Sequence, residues 1–185
     1  MRRVIELVIA LTVFPVVLVM ILICIVMMAV IDPGPFFFKS KRLGKNQQSF
    51  TIVKLRTMSP HAPLVPSSHT DASAYVTEFG RFLRVTSLDE LPQIFNILSG
   101  SMTFIGPRPC LASEVKLIAL RENECIFSMK PGVTGLAQVR GRDRNTDRNK
   151  VRYDLFYLKK KSLLFDLKII ILTVKAVFCS SNVSH

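Results

Sequence analysis

The 185-residue chain carries 25 Lys and Arg against 13 Asp and Glu, a formal net charge of +12, and is 49% hydrophobic. That length holds one domain, or a domain with an anchor, and that charge selects anionic partners: phosphates, nucleic acid or an acidic membrane face. The cysteines Cys24, Cys110, Cys125 and Cys179 form no Cys-x-x-Cys pair, and His61, His69 and His185 lie in a polar stretch or at the end, which argues against a disulfide framework and a zinc centre.

No charged residue occurs from Leu7 to Ile31, and as a helix at ~1.5 Å per residue this segment is ~38 Å long against a hydrocarbon core of about 30 Å. It is a membrane segment, and the Asp32-Pro33-Gly34-Pro35 that follows is no signal-peptide cleavage site. Pro15 frees the Leu11 carbonyl and predicts a break, leaving arms of ~18 and ~24 Å, each shorter than the core. Two readings stay open: a hairpin dipping into one leaflet, and a tilted spanning helix that tolerates its proline. Arg2 and Arg3 before the segment and Lys39, Lys41 and Arg42 after it favour the hairpin, with both ends in the cytosol.

Two strands are expected next, Phe36 to Ser40 and Phe50 to Arg56, joined by a long polar loop from Lys41 to Ser49. Lys54 and Arg56 share a face with Phe50 and Ile52. Cations there either snorkel or meet an anion, and snorkelling is the commoner case. Ser59 to Ser73, rich in Pro, Ser and His, reads as a mobile loop and a candidate lid.

The stretch Ser87-Leu88-Asp89-Glu90-Leu91-Pro92-Gln93 sets two adjacent carboxylates beside a proline. As an ordinary helix start, Ser87 and Glu90 form a capping box. Pro92 opposes that reading: at the fifth helical position its ring clashes with the Leu88 carbonyl, so the helix is expected to bend or to start late. Either outcome takes Asp89 and Glu90 out of a regular turn. Arg84 lies just before these acids, and Gly106-Pro107-Arg108-Pro109 lies just after them.

Leu111 to Phe127 has the apolar spacing of a surface helix, and Pro131 to Gly135 is a turn expected to lead into a short strand, Leu136 to Val139. The basic run Arg140, Arg142, Arg144, Arg148, Lys150 and Arg152 is read as a solvated face. It lacks the interleaved aromatics of a nucleic-acid surface. Ser162 to Phe178, apolar but carrying Asp166, Lys168 and Lys175, either lies in the membrane interface or packs on the core.

No Walker loop or dinucleotide fingerprint is present. The motifs Asp32-Pro33-Gly34-Pro35, Lys54-Leu55-Arg56-Thr57-Met58, Thr86 to Gln93, Gly106-Pro107-Arg108-Pro109, Lys130 to Gly135 and Asp166-Leu167-Lys168 together resemble, nearly end to end, the bacterial sugar transferases of the monotopic phosphoglycosyl transferase superfamily. The resemblance implies an α+β fold: a re-entrant membrane helix-break-helix over residues 1–31, and a small cytosolic catalytic domain over residues 32–185 with a β-hairpin and interfacial amphipathic helices. It implies transfer of a phospho-sugar from a UDP-sugar to a polyprenol phosphate such as undecaprenyl phosphate, with release of UMP, on the cytoplasmic face of the bacterial inner membrane. Nucleic acid is not an expected partner.

By the same resemblance Asp89 is the nucleophile that forms an aspartyl phospho-sugar, with Glu90 as its catalytic neighbour. Arg108 and Arg142 hold phosphates, and Lys54, Arg84 and Asp154 match further substrate-binding positions. Mg2+ on Asp89 and phosphate oxygens supplies the cation that two acids beside a pyrophosphate require. Phe14 departs from the pattern, standing where members often have Ser before the membrane proline. The alternatives are a membrane-anchored binder of acidic lipid or nucleic acid, and a catalytically inactive relative acting as an interaction protein.

Overall fold

The structure, a computed structural model, describes residues 2–62, 72–141 and 145–178. Its longest element is α1 (Arg2–Ile31), which runs through Pro15 as one helix. The expected helix-break-helix is therefore corrected to a continuous helix. Thr12 Oγ1 donates to the Val8 carbonyl at 2.9 Å one turn before the proline. The packing stripe also keeps its phase across Pro15. Ala10, Phe14, Val17, Ile21, Cys24 and Met28 recur every three or four residues and face the body of the protein. Val8, Leu11, Val16, Leu22, Val26 and Val30 on the other faces are exposed.

Both ends of α1 are tied to that body. At the start, Arg2 pairs with Asp166 and donates to Tyr157, Arg3 Nη2 donates to the Ile97 carbonyl at 2.7 Å, and Glu6 accepts from Thr103 at 2.5 Å. At the end, Asp32 pairs with Arg56 at 3.0 Å and accepts from Thr77 at 2.7 Å.

Strands β1 (Phe37–Leu43) and β2 (Ser49–Leu55) form an antiparallel hairpin. The strand reaches Leu43, so the connection is shorter than the polar composition of Lys41 to Ser49 predicts. The Gly44 N–H bonds the Gln48 carbonyl at 2.9 Å and closes the turn. Lys54 and Arg56 on the apolar face both meet anions instead of snorkelling. Arg56, 5% exposed, bonds the Asp32 and Pro35 carbonyls as well as the Asp32 carboxylate. The expected lid falls mainly on residues 63–71, outside the described residues. Its two ends meet where the Ser59 N–H bonds the Tyr75 carbonyl at 2.8 Å.

Helix α2 (Glu78–Thr86) is capped by Thr77, whose hydroxyl accepts from the Gly80 N–H. A 3-10 run, Leu88–Gln93, leads into α3 (Ile94–Ser99) and β3 (Thr103–Ile105). Helix α4 (Val115–Asn123) is shorter than the predicted Leu111 to Phe127. The strand expected at Leu136 to Val139 is corrected: β4 is Gly132–Thr134, parallel to β3, and Leu136–Val139 forms a helical turn, α5. The Pro-Gly signal does not turn the chain here because glycine allows close strand approach. A Cβ on Gly132 would lie 2.1 Å from the Gly106 nitrogen.

Helices α6 (Asp147–Lys160) and α7 (Leu163–Phe178) are the last elements among the described residues. Packing on the core holds for one face of α7, and its other face is apolar and exposed. Ile169 is fully buried and Thr173 bonds Thr134 at 2.8 Å, while Leu163, Leu164, Leu167, Ile171 and Val174 are exposed. The fold is thus α+β, with long apolar surfaces on its first and last helices.

Candidate active site

The site is made where α2 stops. Ser87 takes φ 60° and ψ 18°, a left-handed conformation uncommon outside glycine; it closes α2 and precedes the next turn without the side-chain capping hydrogen bond that a capping box requires. Pro92 cannot donate to an α-helical ladder, so Leu88 to Gln93 turns as a 3-10 run and the α-helix starts only at Ile94. The late start expected from Pro92 is what the backbone does. Asn96 Nδ2 donates to the Thr51 carbonyl at 2.8 Å and fixes this segment against β2.

Asp89 and Glu90 consequently face Lys54 of β2. Lys54 Nζ lies 2.5 Å from Glu90 Oε1 and 3.7 Å from Asp89 Oδ2. Arg108 Nη1 reaches the same Glu90 oxygen at 3.6 Å, with half of its side chain still exposed. Asp89 is 8% exposed, and burial pushes its carboxyl above the ordinary value; the cations Lys54, Arg84 and Arg108 oppose this, and Glu90 adds to it. Arg84 is held from the side by α2, its Nε donating to Thr57 Oγ1 at 2.9 Å. Five of the seven expected site residues are thereby gathered: Lys54, Arg84, Asp89, Glu90 and Arg108. Arg142 lies outside the described residues.

Asp154 stands elsewhere. It is 2% exposed and bonds Arg121 at 2.8 Å, so it faces a buried guanidinium and not the cleft. Burial pushes its carboxyl up to about 6, opposed by Arg121 and Lys150. Arg121, equally buried, uses its Nη1 to donate to the Arg108 carbonyl at 2.7 Å. The pair therefore holds the backbone of the Gly106-Pro107-Arg108-Pro109 segment from behind. Reading α4 as a surface helix missed Arg121. The available signal was its spacing, four residues after the buried Leu117 and hence on the same inward face.

Asp89 and Glu90 supply oxygen donors, and no cluster of three or more His, Cys, Asp or Glu suited to a metal occurs among the described residues. A donor set of one or two carboxylates fits a magnesium that takes its remaining ligands from phosphate and water, and does not fit a closed zinc site.

Fold and site together define a class: a small α+β body lying along an apolar helix, with a carboxylate pair and cations converging on it. The family model for bacterial sugar transferases matches residues 1–180, and the chain belongs to that family. It is 39% identical over 155 residues to a UDP-glucose:undecaprenyl-phosphate glucose-1-phosphate transferase of Xanthomonas campestris pv. campestris, over 79% of this chain and 32% of that protein. It is 36% identical over 152 residues to the uncharacterized sugar transferase EpsL of Bacillus subtilis, covering 82% of this chain and 74% of the relative. The exopolysaccharide production protein ExoY of Sinorhizobium fredii is 36% identical over 170 residues, with 83% and 74% covered. The chain thus spans about a third of the Xanthomonas relative and about three quarters of the other two.

Proposed function

We propose that the chain is a phosphoglycosyl transferase that moves a phospho-sugar from a UDP-sugar to a polyprenol phosphate and releases UMP. The observation that carries this reading is the Asp89-Glu90 pair on a rigid 3-10 turn, clamped by Lys54 and Arg108 beside a long apolar helix. The similarity to a UDP-glucose:undecaprenyl-phosphate glucose-1-phosphate transferase supports the substrate classes.

In this mechanism an Asp89 carboxylate oxygen attacks the sugar-bearing phosphorus. The bond from that phosphorus to the bridging oxygen breaks, and UMP departs with the electron pair. A phosphate oxygen of the lipid then attacks the same phosphorus and displaces Asp89. A carboxylate suits the first step because it is already ionised. Lys54 favours the charged form of Asp89 and holds Glu90, and Arg108 presents its guanidinium to phosphate oxygens. Asp89, with Glu90 beside it, would hold Mg2+, which when bound neutralises charge on the diphosphate. Release of UMP from a panel of UDP-sugars, dependent on added polyprenol phosphate, tests the assignment. A chain that binds acidic lipid but releases no UMP contradicts it.

The pH dependence follows from the burial of Asp89. Its carboxyl titrates above the ordinary value and acts ionised, so kcat/KM falls as pH drops through a range higher than that of an exposed aspartate. Replacing Lys54 by Met removes the largest opposing charge and moves this acid limb to still higher pH. A pH–rate profile of the variant with an unmoved or lower limb contradicts the arrangement.

The two tethered ends of α1 support a membrane placement in which the helix lies in one leaflet and the catalytic body stays on the cytoplasmic face of the inner membrane. A cysteine appended before Met1 and another replacing the exposed Lys39 should both resist a membrane-impermeant maleimide in intact cells and react once the cells are opened. Labelling of the first from outside intact cells would establish a spanning helix instead.

A further inference from the structure

Arg42 lines the same cleft as Lys54, Glu90 and Arg108. Its Nε is buried and has no hydrogen-bond partner among the described residues. Across the hairpin Arg42 pairs with Phe50, and Lys54 lies further along that strand on the same face. At about 3.4 Å per residue the two cations are ~14 Å apart along the sheet, so their long side chains enter the cleft from opposite ends. The charged groups form a sequence: Asp89 to Lys54 at 3.7 Å, Lys54 to Glu90 at 2.5 Å, Glu90 to Arg108 at 3.6 Å, and Arg42 beyond. Burial and the nearby Arg108 lower the pKa of Arg42 from its ordinary value, with Glu114, Cys110 and Glu90 opposing. A buried cationic donor without an acceptor destabilises the chain on its own, and an anion in the cleft removes that cost.

We propose that Arg42 is a substrate-binding residue that grips the nucleotide-side phosphate of a nucleoside diphosphate sugar, the phosphate that leaves. The proposal rests on the phospho-sugar transfer reading above. Displacement at phosphorus keeps the entering and leaving oxygens roughly in line, so an attack from Asp89 drives the leaving phosphate toward the opposite end of the cleft. Arg42 stands at that end. As the bridging bond breaks, its electron pair passes to the nucleoside monophosphate, and negative charge grows where the guanidinium points.

The test uses the full chain in lipid nanodiscs, with UMP as the probe. Replacing Arg42 by Met should weaken inhibition by UMP at least about tenfold, the loss of a charge-assisted contact, and leave the KM for polyprenol phosphate within about twofold of its original value. The melting temperature should stay equal or rise, because an unsatisfied donor has been removed. Arg42→Lys, which keeps the charge without the planar fork, should recover part of the inhibition. Undiminished inhibition in Arg42→Met, with the parent chain inhibited normally, overturns the role of Arg42 and leaves the transferase reading standing. A lowered melting temperature with unchanged UMP inhibition makes Arg42 structural, which also overturns it. A parent chain that UMP does not inhibit defeats the nucleotide reading of the whole cleft, and the inference with it.

Discussion

Replacing Asp89 by Asn should abolish transfer, by at least about ten-thousandfold, and abolish labelling of the protein by a UDP-sugar labelled in its sugar, because an amide is no substitute for an attacking carboxylate. The exchange is nearly isosteric, and burial already favours the neutral form of this side chain, so folding should survive it. Glu90→Gln should act differently. Glu90 is bonded directly to Lys54 at 2.5 Å and lies 3.6 Å from Arg108, so its neutralisation disturbs two cations without removing the nucleophile. A loss of about a hundredfold to ten-thousandfold, with labelled protein still detectable, is the expected result. Equal behaviour of the two variants would make the pair a shared metal ligand and direct attack by lipid phosphate the mechanism.

The second large effect comes from a residue that touches no substrate. Arg121→Met leaves Asp154 buried without its partner, a loss of about 3 kcal/mol or more, and at this chain length a melting temperature lower by roughly 6–12 °C. The loss should depend on pH in a definite direction. Asp154 already holds its proton more tightly folded than unfolded, with burial pushing it to about 6, and Arg121 opposes that rise. Without Arg121 the carboxyl rises further. The variant is then least impaired at acid pH, where folded Asp154 takes up a proton, and most impaired above the raised value. Thermal melts at pH 5 and pH 8 read this difference. Activity should fall by about a hundredfold as well, since the Arg108 carbonyl loses its 2.7 Å bond from Arg121 and the segment carrying Arg108 shifts. A variant that melts normally at both values of pH would show that the buried pair holds nothing.

What could be read in advance divides along physical lines. Pro92 disfavours a regular helix through the acids, and no in-phase packing stripe offsets it there as one does at Pro15, so the late helix start was legible from a local rule. The alternation that places Lys54 and Arg56 on the apolar face of β2 was equally legible, but the anions they meet were not. Asp32 is brought to Arg56 by the end of α1, and Glu90 to Lys54 by the turn after α2, contacts that no local pattern encodes. Pro15 predicted a break that the structure does not contain. A packing stripe held in phase on both sides of it, from Ala10 to Met28, outweighs one missing hydrogen bond. The Pro131-Gly132 signal misled for a related reason. Glycine there serves a close approach of backbones to Gly106, which becomes visible only when β3 and β4 are side by side. Arg121 and Asp154 needed the third dimension altogether, because each looks like surface charge until the helices that carry them pack together.

The central claim is that the phospho-sugar rests on Asp89 between its two carriers. The most direct measurement is mass spectrometry of the intact chain and its peptides after incubation with UDP-sugar and Mg2+ in the absence of polyprenol phosphate. The account predicts one added sugar phosphate on the peptide containing Asp89, formed with an equal amount of UMP and lost when polyprenol phosphate is supplied, together with parallel initial-rate plots. An unmodified chain that releases UMP only when the lipid is present, with intersecting plots, would contradict it.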